Sequence, residues 1–150
     1  MKILFLDVDG VLNSASYFNT RLTPRDARPR DIDPMRALLV HRIVEATGAK
    51  IVVSSSWRLH PDGLAEVRKA IDPHYLDKTP RHDRYEHRHA EIKEWLDGQA
   101  FIGRPVERYA ILDDDTFAGD GHGDNFFKTE WYGDGLNEEI AAAVTKHLNA

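Results

Sequence analysis

The sequence predicts an α/β domain organised around a central parallel β-sheet. Three continuous apolar runs, at residues 2–7, 50–54 and 109–112, have the composition of buried strands. Segments with apolar residues at helical spacing separate these runs along the chain. Because strands that alternate with helices form parallel sheets covered on both faces, we expect helices on both sides of this sheet.

The first long helix is predicted to begin after Asp33, which can cap its first turn, with Pro34 at the first helical position. Gly48 is the expected cap at the other end of this helix. Residues 13–33, which precede the helix, are interrupted by prolines and arginines. We therefore expect a loop or a short hairpin flap over residues 13–33.

Three further helices and two weaker strands complete the prediction. The helices carry their apolar stripes at Leu64, Val67 and Ile71, at Ile92, Trp95 and Leu96, and at Ile140, Ala141, Val144 and Leu148. Pro73 is expected to stop the first of these helices and Gly98 the second, and Asn137 is expected to cap the third. The weaker strand signals lie near residues 75–76 and 126–129.

Composition limits the class of protein. A length of 150 residues fits one domain spanning the whole chain. The absence of cysteine excludes disulfides and thiolate metal sites. The first apolar run is too short for a signal peptide or a membrane span, so we expect a cytoplasmic protein with no membrane partner. A net charge of -5 argues against a broad, sequence-independent grip on nucleic acid, although a local basic groove stays possible.

Polar residues follow three of the predicted strands. Asp7 and Asp9 end the first strand, Ser54 ends the second, and Asp113 and Asp114 end the third. Because the carboxyl ends of parallel strands meet at one edge of a sheet, these groups should converge on one crevice. Clustered carboxylates stay ionised together only beside a cation, and an all-oxygen donor set favours Mg²⁺.

The spacing of Asp7 and Asp9 suggests a division of chemical roles. A carboxylate can attack phosphorus directly and form an aspartyl-phosphate, and a second carboxyl group can protonate the leaving oxygen. Gly10 would let the chain bend directly after the two acids. Acid pairs at strand ends also occur as caps and turn formers, but matching polar residues at two other strand ends favour a catalytic site.

The segment from Asp7 to Leu12, which reads D-V-D-G-V-L, resembles the first motif of haloacid dehalogenase (HAD) superfamily phosphatases. The resemblance implies that Asp7 is the nucleophile and a Mg²⁺ ligand, and that Asp9 is the general acid and base. It also implies that the backbone carbonyl of Asp9 binds the metal. The superfamily's dehalogenases lack the second acid, so Asp9 favours phosphoryl chemistry.

The other motifs of the superfamily match less specifically. Ser54 fits the second motif as a phosphate donor, with Ser55 as the alternative, and Asp113 with Asp114 fits the metal-binding fourth motif. Arg88 is chosen as the phosphate-binding cation of the third motif, with Arg84 and Lys93 as alternatives. The implied fold is a HAD-like Rossmannoid three-layer sandwich with strand order 5-4-1-2-3. Residues 13–33 and 59–87 leave room for no cap domain or a minimal one.

A closer resemblance is to the HAD domain of Swiss Army Knife RNA-repair proteins, and a more distant one is to the phosphatase domain of polynucleotide kinase-phosphatase. It is carried by Ser-Ser-Trp-Arg at residues 55–58, Arg-x-x-Glu-Ile-x-x-Trp-Leu at residues 88–96 and the triple aspartate at residues 113–115. It implies a substrate with a 3′-phosphate at an RNA or DNA end, a phosphate contact from Arg58, and repair partners on separate chains. The alternative for Arg58 is a surface ion pair. The alternatives for the protein are a phosphatase of nucleotides, sugar phosphates or phosphoproteins, and a non-catalytic module that binds phosphorylated ends.

Overall fold

The computed structural model describes residues 1–21 and 31–150, with a five-stranded parallel sheet at the centre. The strands are β1 (Lys2–Leu6), β2 (Lys50–Val53), β3 (Tyr75–Lys78), β4 (Arg108–Asp113) and β5 (Phe126–Lys128). Their order across the sheet is β3-β2-β1-β4-β5, which is the predicted order 5-4-1-2-3 read from the other edge. The α/β class and the sheet order are therefore confirmed, and both weak strand signals are real strands.

Helices cover both faces of the sheet, which gives three layers. The helices are α1 (Ala15–Arg21), α2 (Pro34–Thr47), α3 (Pro61–Ile71), α4 (Arg88–Phe101) and α5 (Glu138–Asn149). Side chains alternate across a strand, so Leu4 and Leu6 pack with α2, α3 and α5 on one face. Ile3 and Phe5 pack against α4 on the other face.

Local sequence signals set three of the helix ends. The Asp33 carboxylate accepts from the Met35 backbone N–H, and Pro34 is the first helical residue. Gly48 ends α2 with a positive φ of 72°, and the Asn137 side chain accepts from the Ile140 backbone N–H at the start of α5. These caps lie where the sequence predicts them.

Two expectations about local structure are wrong. Residues 15–21 form a helix rather than a loop or hairpin, and the rest of the expected flap, residues 22–30, lies outside the described part of the chain. α4 does not end at Gly98 but continues to Phe101, because Gly98 keeps helical backbone there and Gly103 takes the positive φ of 76° beyond the helix. Neither difference alters the sheet.

The register of the central strands places the polar strand ends side by side. Leu6 pairs with Val53 of β2 and with Leu112 of β4. The Asp7 backbone N–H donates to the Leu112 carbonyl at 3.0 Å, and the Ser54 N–H donates to the Leu6 carbonyl at 3.0 Å. Asp7 therefore lies between Ser54 and Asp113 at the carboxyl edge of the sheet. In the described part of the chain, no helix has the length and apolar character needed to cross a membrane.

Candidate active site

Three carboxylates, Asp7, Asp113 and Asp114, gather at the carboxyl edge of the sheet, and we refer to them as the carboxylate cluster. Each offers an oxygen within 4.8 Å of the other two. Asp7 and Asp113 are buried, and Asp114 is half-buried. The loop after β1 and the end of β4 thus bring together the acids of the first and fourth motifs.

Gly10 allows this close approach. Its φ is +82°, and a Cβ built on it would lie 2.4 Å from the Asp114 Cγ. Any side chain at this position would therefore strain the backbone and displace the Asp114 carboxyl group. The Thr129 hydroxyl, donating to the Gly10 carbonyl at 2.5 Å, holds the turn against the end of β5.

Arg88, the first residue of α4, is the cation of the site. Its Nη1 lies 2.7 Å from the Asp113 Oδ2 and 3.2 Å from the Asp7 Oδ1. The two alternative cations bind elsewhere: Arg84 pairs with Glu86, and Lys93 pairs with the exposed Asp97. Arg88 is thus the candidate for the third motif that the structure brings to Asp7.

Burial and like charge make the carboxylate cluster electrostatically unfavourable on its own. Burial raises the pKa of Asp7 well above its ordinary value, and the charge of Asp113 raises it further, while Arg88 opposes both. Burial and the Asp113 charge also raise the pKa of Asp114. Burial lowers the pKa of Arg88, but the charges of Asp7 and Asp113 outweigh this effect and raise it overall. Burial and repulsion among the acids together therefore exceed what one guanidinium offsets.

The donor set of the carboxylate cluster fits a hard divalent cation. Its ligand atoms are all carboxylate oxygens, the type that Mg²⁺ prefers. Three ionised carboxylates beside Arg88 alone would leave two negative charges uncompensated, and a divalent ion supplies the missing charge.

Ser54 and Ser55 have different surroundings. The Ser55 hydroxyl accepts from the Trp57 backbone N–H at 3.2 Å and caps a short 3₁₀ helix, Ser56–Leu59. The Ser54 hydroxyl is buried and has no hydrogen-bond partner among the described residues. Because buried hydroxyl groups are normally paired, Ser54 is the serine with an unused donor beside Asp7. The Thr79 hydroxyl, past the end of β3, is also buried and unpaired within that part of the chain.

The Asp9 carboxylate is not part of the carboxylate cluster and is held by two hydrogen bonds. The indole Nε1–H of Trp57 donates to its Oδ2 at 3.0 Å, and the Asn13 Nδ2 donates to its Oδ1 at 3.0 Å. Asn13 also accepts from the Gly10 N–H at 3.1 Å and donates to the Asp31 carbonyl at 3.2 Å. Asp9 itself is exposed, so its carboxyl group is oriented by neutral donors while it faces solvent.

The expected phosphate contact from Arg58 does not fit the structure. A guanidinium has five N–H donors, and those of Arg58 are directed at five protein acceptors. These acceptors are the carbonyls of Ser54, Ser55, Thr79 and Pro80 and the Glu91 carboxylate. Burial lowers the pKa of Arg58, and the charge of Glu91 counters that effect. Arg58 is therefore half of a buried ion pair that fixes the loop after β2.

Three residues of the patterns that carry the resemblance make polar contacts that sequence reasoning does not predict. Trp57 holds Asp9, Glu91 pairs with Arg58 at 2.8 Å, and the Trp95 indole donates to Asp77 at 2.8 Å. Asn13 was missed because it lies in a segment predicted to be a loop. The sequence signals for the other three residues are the Ser-Ser-Trp-Arg and Arg-x-x-Glu-Ile-x-x-Trp-Leu patterns. These patterns contain Trp57, Glu91 and Trp95 but do not predict which groups they contact.

Comparison with known proteins identifies the family. A protein-family model described as the HAD domain in Swiss Army Knife RNA repair proteins matches residues 3–141, which include all four motifs. Neither the curated proteins nor the solved structures gave a significant match. Family membership implies a phosphatase-type hydrolase, and HAD domains generally use Mg²⁺. The chain belongs to the family of HAD domains found in Swiss Army Knife RNA repair proteins.

Proposed function

We propose that this chain is a Mg²⁺-dependent phosphomonoester hydrolase that forms an aspartyl-phosphate on Asp7 and acts on 3′-phosphate ends of RNA or DNA. The observation that carries the proposal is the different environment of two neighbouring acids. Asp7 lies buried in the carboxylate cluster beside Arg88. Asp9 is exposed and held by the neutral donors Trp57 and Asn13. Such a contrast suits a nucleophile and a proton-transfer group.

In the first step, a carboxylate oxygen of Asp7 forms a bond to phosphorus while the bond from phosphorus to the ester oxygen breaks. The protonated Asp9 gives its proton to the departing oxygen, which leaves as an alcohol. In the second step, Asp9 removes a proton from water, and the water oxygen attacks phosphorus. The bond between phosphorus and Asp7 then breaks, which releases inorganic phosphate and restores the Asp7 carboxylate and the protonated Asp9.

The groups around Asp7 have supporting roles in this scheme. Asp7, Asp113, Asp114 and the backbone carbonyl of Asp9 would hold Mg²⁺, which supplies positive charge to the phosphoryl oxygens and keeps the carboxylates ionised. Arg88 reaches both Asp7 and Asp113, so the phosphoryl group that Asp7 attacks would lie within reach of its guanidinium. The unpaired hydroxyl of Ser54 would donate to a phosphoryl oxygen.

The surface beside Arg88 supports an anionic substrate larger than one phosphate. A cavity of about 180 Å³ adjoins it, and Arg81, Arg84 and His82 line this cavity together with Arg88. Asp83 and Glu91 are its acidic residues, and Glu91 is already paired with Arg58. Arg84 and His82 also pair with acids outside the cavity lining, Glu86 and Glu94. The four arginines that line the cavity still outnumber its two acids, which favours the phosphodiester backbone of a nucleic-acid end over a neutral sugar.

The proposal is tested by Mg²⁺-dependent phosphate release from 3′-phosphorylated oligonucleotides, 5′-phosphorylated oligonucleotides, mononucleotides and sugar phosphates. We expect the 3′-phosphorylated ends to be the best substrates and Asp7→Asn to abolish release. Asp97→Asn, on the exposed side of α4, is the matched control and should keep full activity. Faster release from mononucleotides or sugar phosphates would reject the nucleic-acid substrate. Tight binding of 3′-phosphorylated ends without release would reject the hydrolase.

A further inference from the structure

A second group of metal-binding side chains lies away from the carboxylate cluster. It consists of His41 and Glu45, one turn apart on α2, and His74, which precedes β3; we call it the histidine cluster. Each residue offers one ligand atom within 4.8 Å of the other two. Because His74 lies just before β3 while Asp7 follows β1 in the same parallel sheet, the two clusters occupy opposite edges of that sheet.

The His41 imidazole is held in one orientation. Its Nε2 lies 2.9 Å from the Ala70 carbonyl oxygen, which can only accept, so Nε2 carries the proton. This tautomer leaves a lone pair on Nδ1. Histidine ligands of metals commonly donate their other ring N–H to a backbone carbonyl in this way, which fixes the ring and makes the ligating nitrogen more basic.

The other two members of the histidine cluster have free ligand atoms. Among residues 1–21 and 31–150, neither the His74 ring nor the Glu45 carboxylate has a hydrogen-bond partner. The two imidazole rings lie with their centroids 5.2 Å apart at 65° to each other, so they are not stacked face to face. Lys50 is the nearby cation, but it is exposed, and water screens its effect on the histidine cluster.

We propose that His41, Glu45 and His74 bind one Zn²⁺ ion. Two imidazole nitrogens and one carboxylate oxygen make a donor set that suits Zn²⁺ and disfavours Mg²⁺, which prefers oxygen alone. Ligand atoms around a tetrahedral zinc lie about 3.4 Å apart, so the three side chains would close by roughly 1 Å through rotation of their partly exposed ends. Water would fill the fourth position.

Zinc bound there would connect α2 to the segment between α3 and β3. Because these three ligands come together only in the folded state, Zn²⁺ binding stabilises the folded protein by mass action. With free Zn²⁺ at about a hundred times its dissociation constant, the melting temperature should rise by about 5–10 °C. The shift does not depend on phosphatase activity.

The test measures Zn²⁺ binding to the full chain, without a histidine tag and in excess Mg²⁺, by competition with a chromogenic chelator. We expect one tightly bound Zn²⁺ per wild-type chain, and at least tenfold weaker binding in His74→Gln and in Glu45→Gln. Glu45 is exposed, so its replacement should leave the fold intact. His60→Gln removes an exposed histidine outside the histidine cluster and should bind like the wild type.

Co²⁺ in place of Zn²⁺ provides a spectroscopic check. We expect visible absorption bands typical of four-coordinate Co²⁺ in the wild type and in His60→Gln, and their loss in His74→Gln. The proposal is overturned if the wild type binds no stoichiometric Zn²⁺, or if Glu45→Gln and His74→Gln bind it as tightly as the wild type.

Discussion

Replacing Glu91 with glutamine tests whether the ion pair behind the active site is an essential part of the fold. Glu91 and Arg58 have side-chain exposures of 5% and 4%, and their charged atoms lie 2.8 Å apart. Glutamine has a similar shape and retains one oxygen acceptor, so the change chiefly removes charge. Arg58 would then be a buried cation without a counter-ion, which costs about 3–5 kcal/mol.

That loss should be visible in thermal unfolding. For a chain of 150 residues, about 3–5 kcal/mol corresponds to a fall in melting temperature of about 6–20 °C. Circular dichroism measures the melting temperature, and urea titration should show a lower midpoint with an unchanged slope. Activity should fall as well, because Arg58 holds the carbonyls of Ser54 and Ser55.

The matched control lies on the same helix. Asp97 pairs with Lys93 at 2.5 Å, but their side chains are 65% and 70% exposed. Such a pair on a helix surface contributes about 0.3–0.5 kcal/mol, so Asp97→Asn should lower the melting temperature by less than about 2 °C. Equal shifts in Glu91→Gln and Asp97→Asn, or a Glu91→Gln shift below about 2 °C, would refute the assignment of a buried, mutually dependent pair.

Three other predictions concern side chains of the candidate active site. Trp57→Phe removes the indole donor to Asp9, so the phosphatase rate should fall by roughly tenfold for esters with poor leaving groups and by less for esters with good ones. An equal fall in rate for all esters would count against an acid role for Asp9. Ser54→Ala should lower kcat/KM by about tenfold without lowering the free energy of unfolding, because the Ser54 hydroxyl has no partner among the described residues. A urea titration in which the free energy of unfolding falls by more than about 1 kcal/mol would contradict this prediction. Without divalent ions, the raised pKa values of Asp7 and Asp114 mean that the folded state binds more protons than the unfolded state above pH 3.8. Their contribution to stability is therefore complete below that pH and is lost as pH rises through the folded pKa values. Mg²⁺ should then stabilise the protein more at higher pH. A Mg²⁺-induced rise in melting temperature that becomes smaller as pH rises would contradict this prediction.

The sequence predicts the sheet and the carboxylate cluster well because both depend on short-range patterns. Asp7 and Asp113 directly follow apolar runs, and parallel pairing then brings neighbouring strand ends together whatever the loops do. The choice between Ser54 and Ser55 was open because a shift of one residue reverses the direction of a side chain on a strand. The register, in which Val53 pairs with Leu6, places Ser54 beside Asp7, and the surroundings of the two hydroxyl groups then distinguish Ser54 from Ser55.

The partners of Arg58 could not be predicted for a different reason. Its carboxylate, Glu91, lies 33 positions away on another element, and its four carbonyl acceptors have no sequence signature. An arginine beside a strand end has the same local sequence whether it faces a substrate or a buried acid. The helix at Ala15–Arg21 was missed because the polar and arginine-rich residues after it dominate the local pattern.

The most direct test of the account is to trap the phosphoryl group on the protein. The wild-type chain is quenched in acid while it turns over a 3′-phosphorylated oligonucleotide with Mg²⁺. Borohydride then reduces an aspartyl-phosphate to homoserine, and peptide mass spectrometry locates the modified position. We expect homoserine at position 7, dependent on Mg²⁺ and on substrate. Phosphate release with the Asp7 carboxylate unmodified throughout, or homoserine at position 9 instead, would rule out Asp7 as the nucleophile.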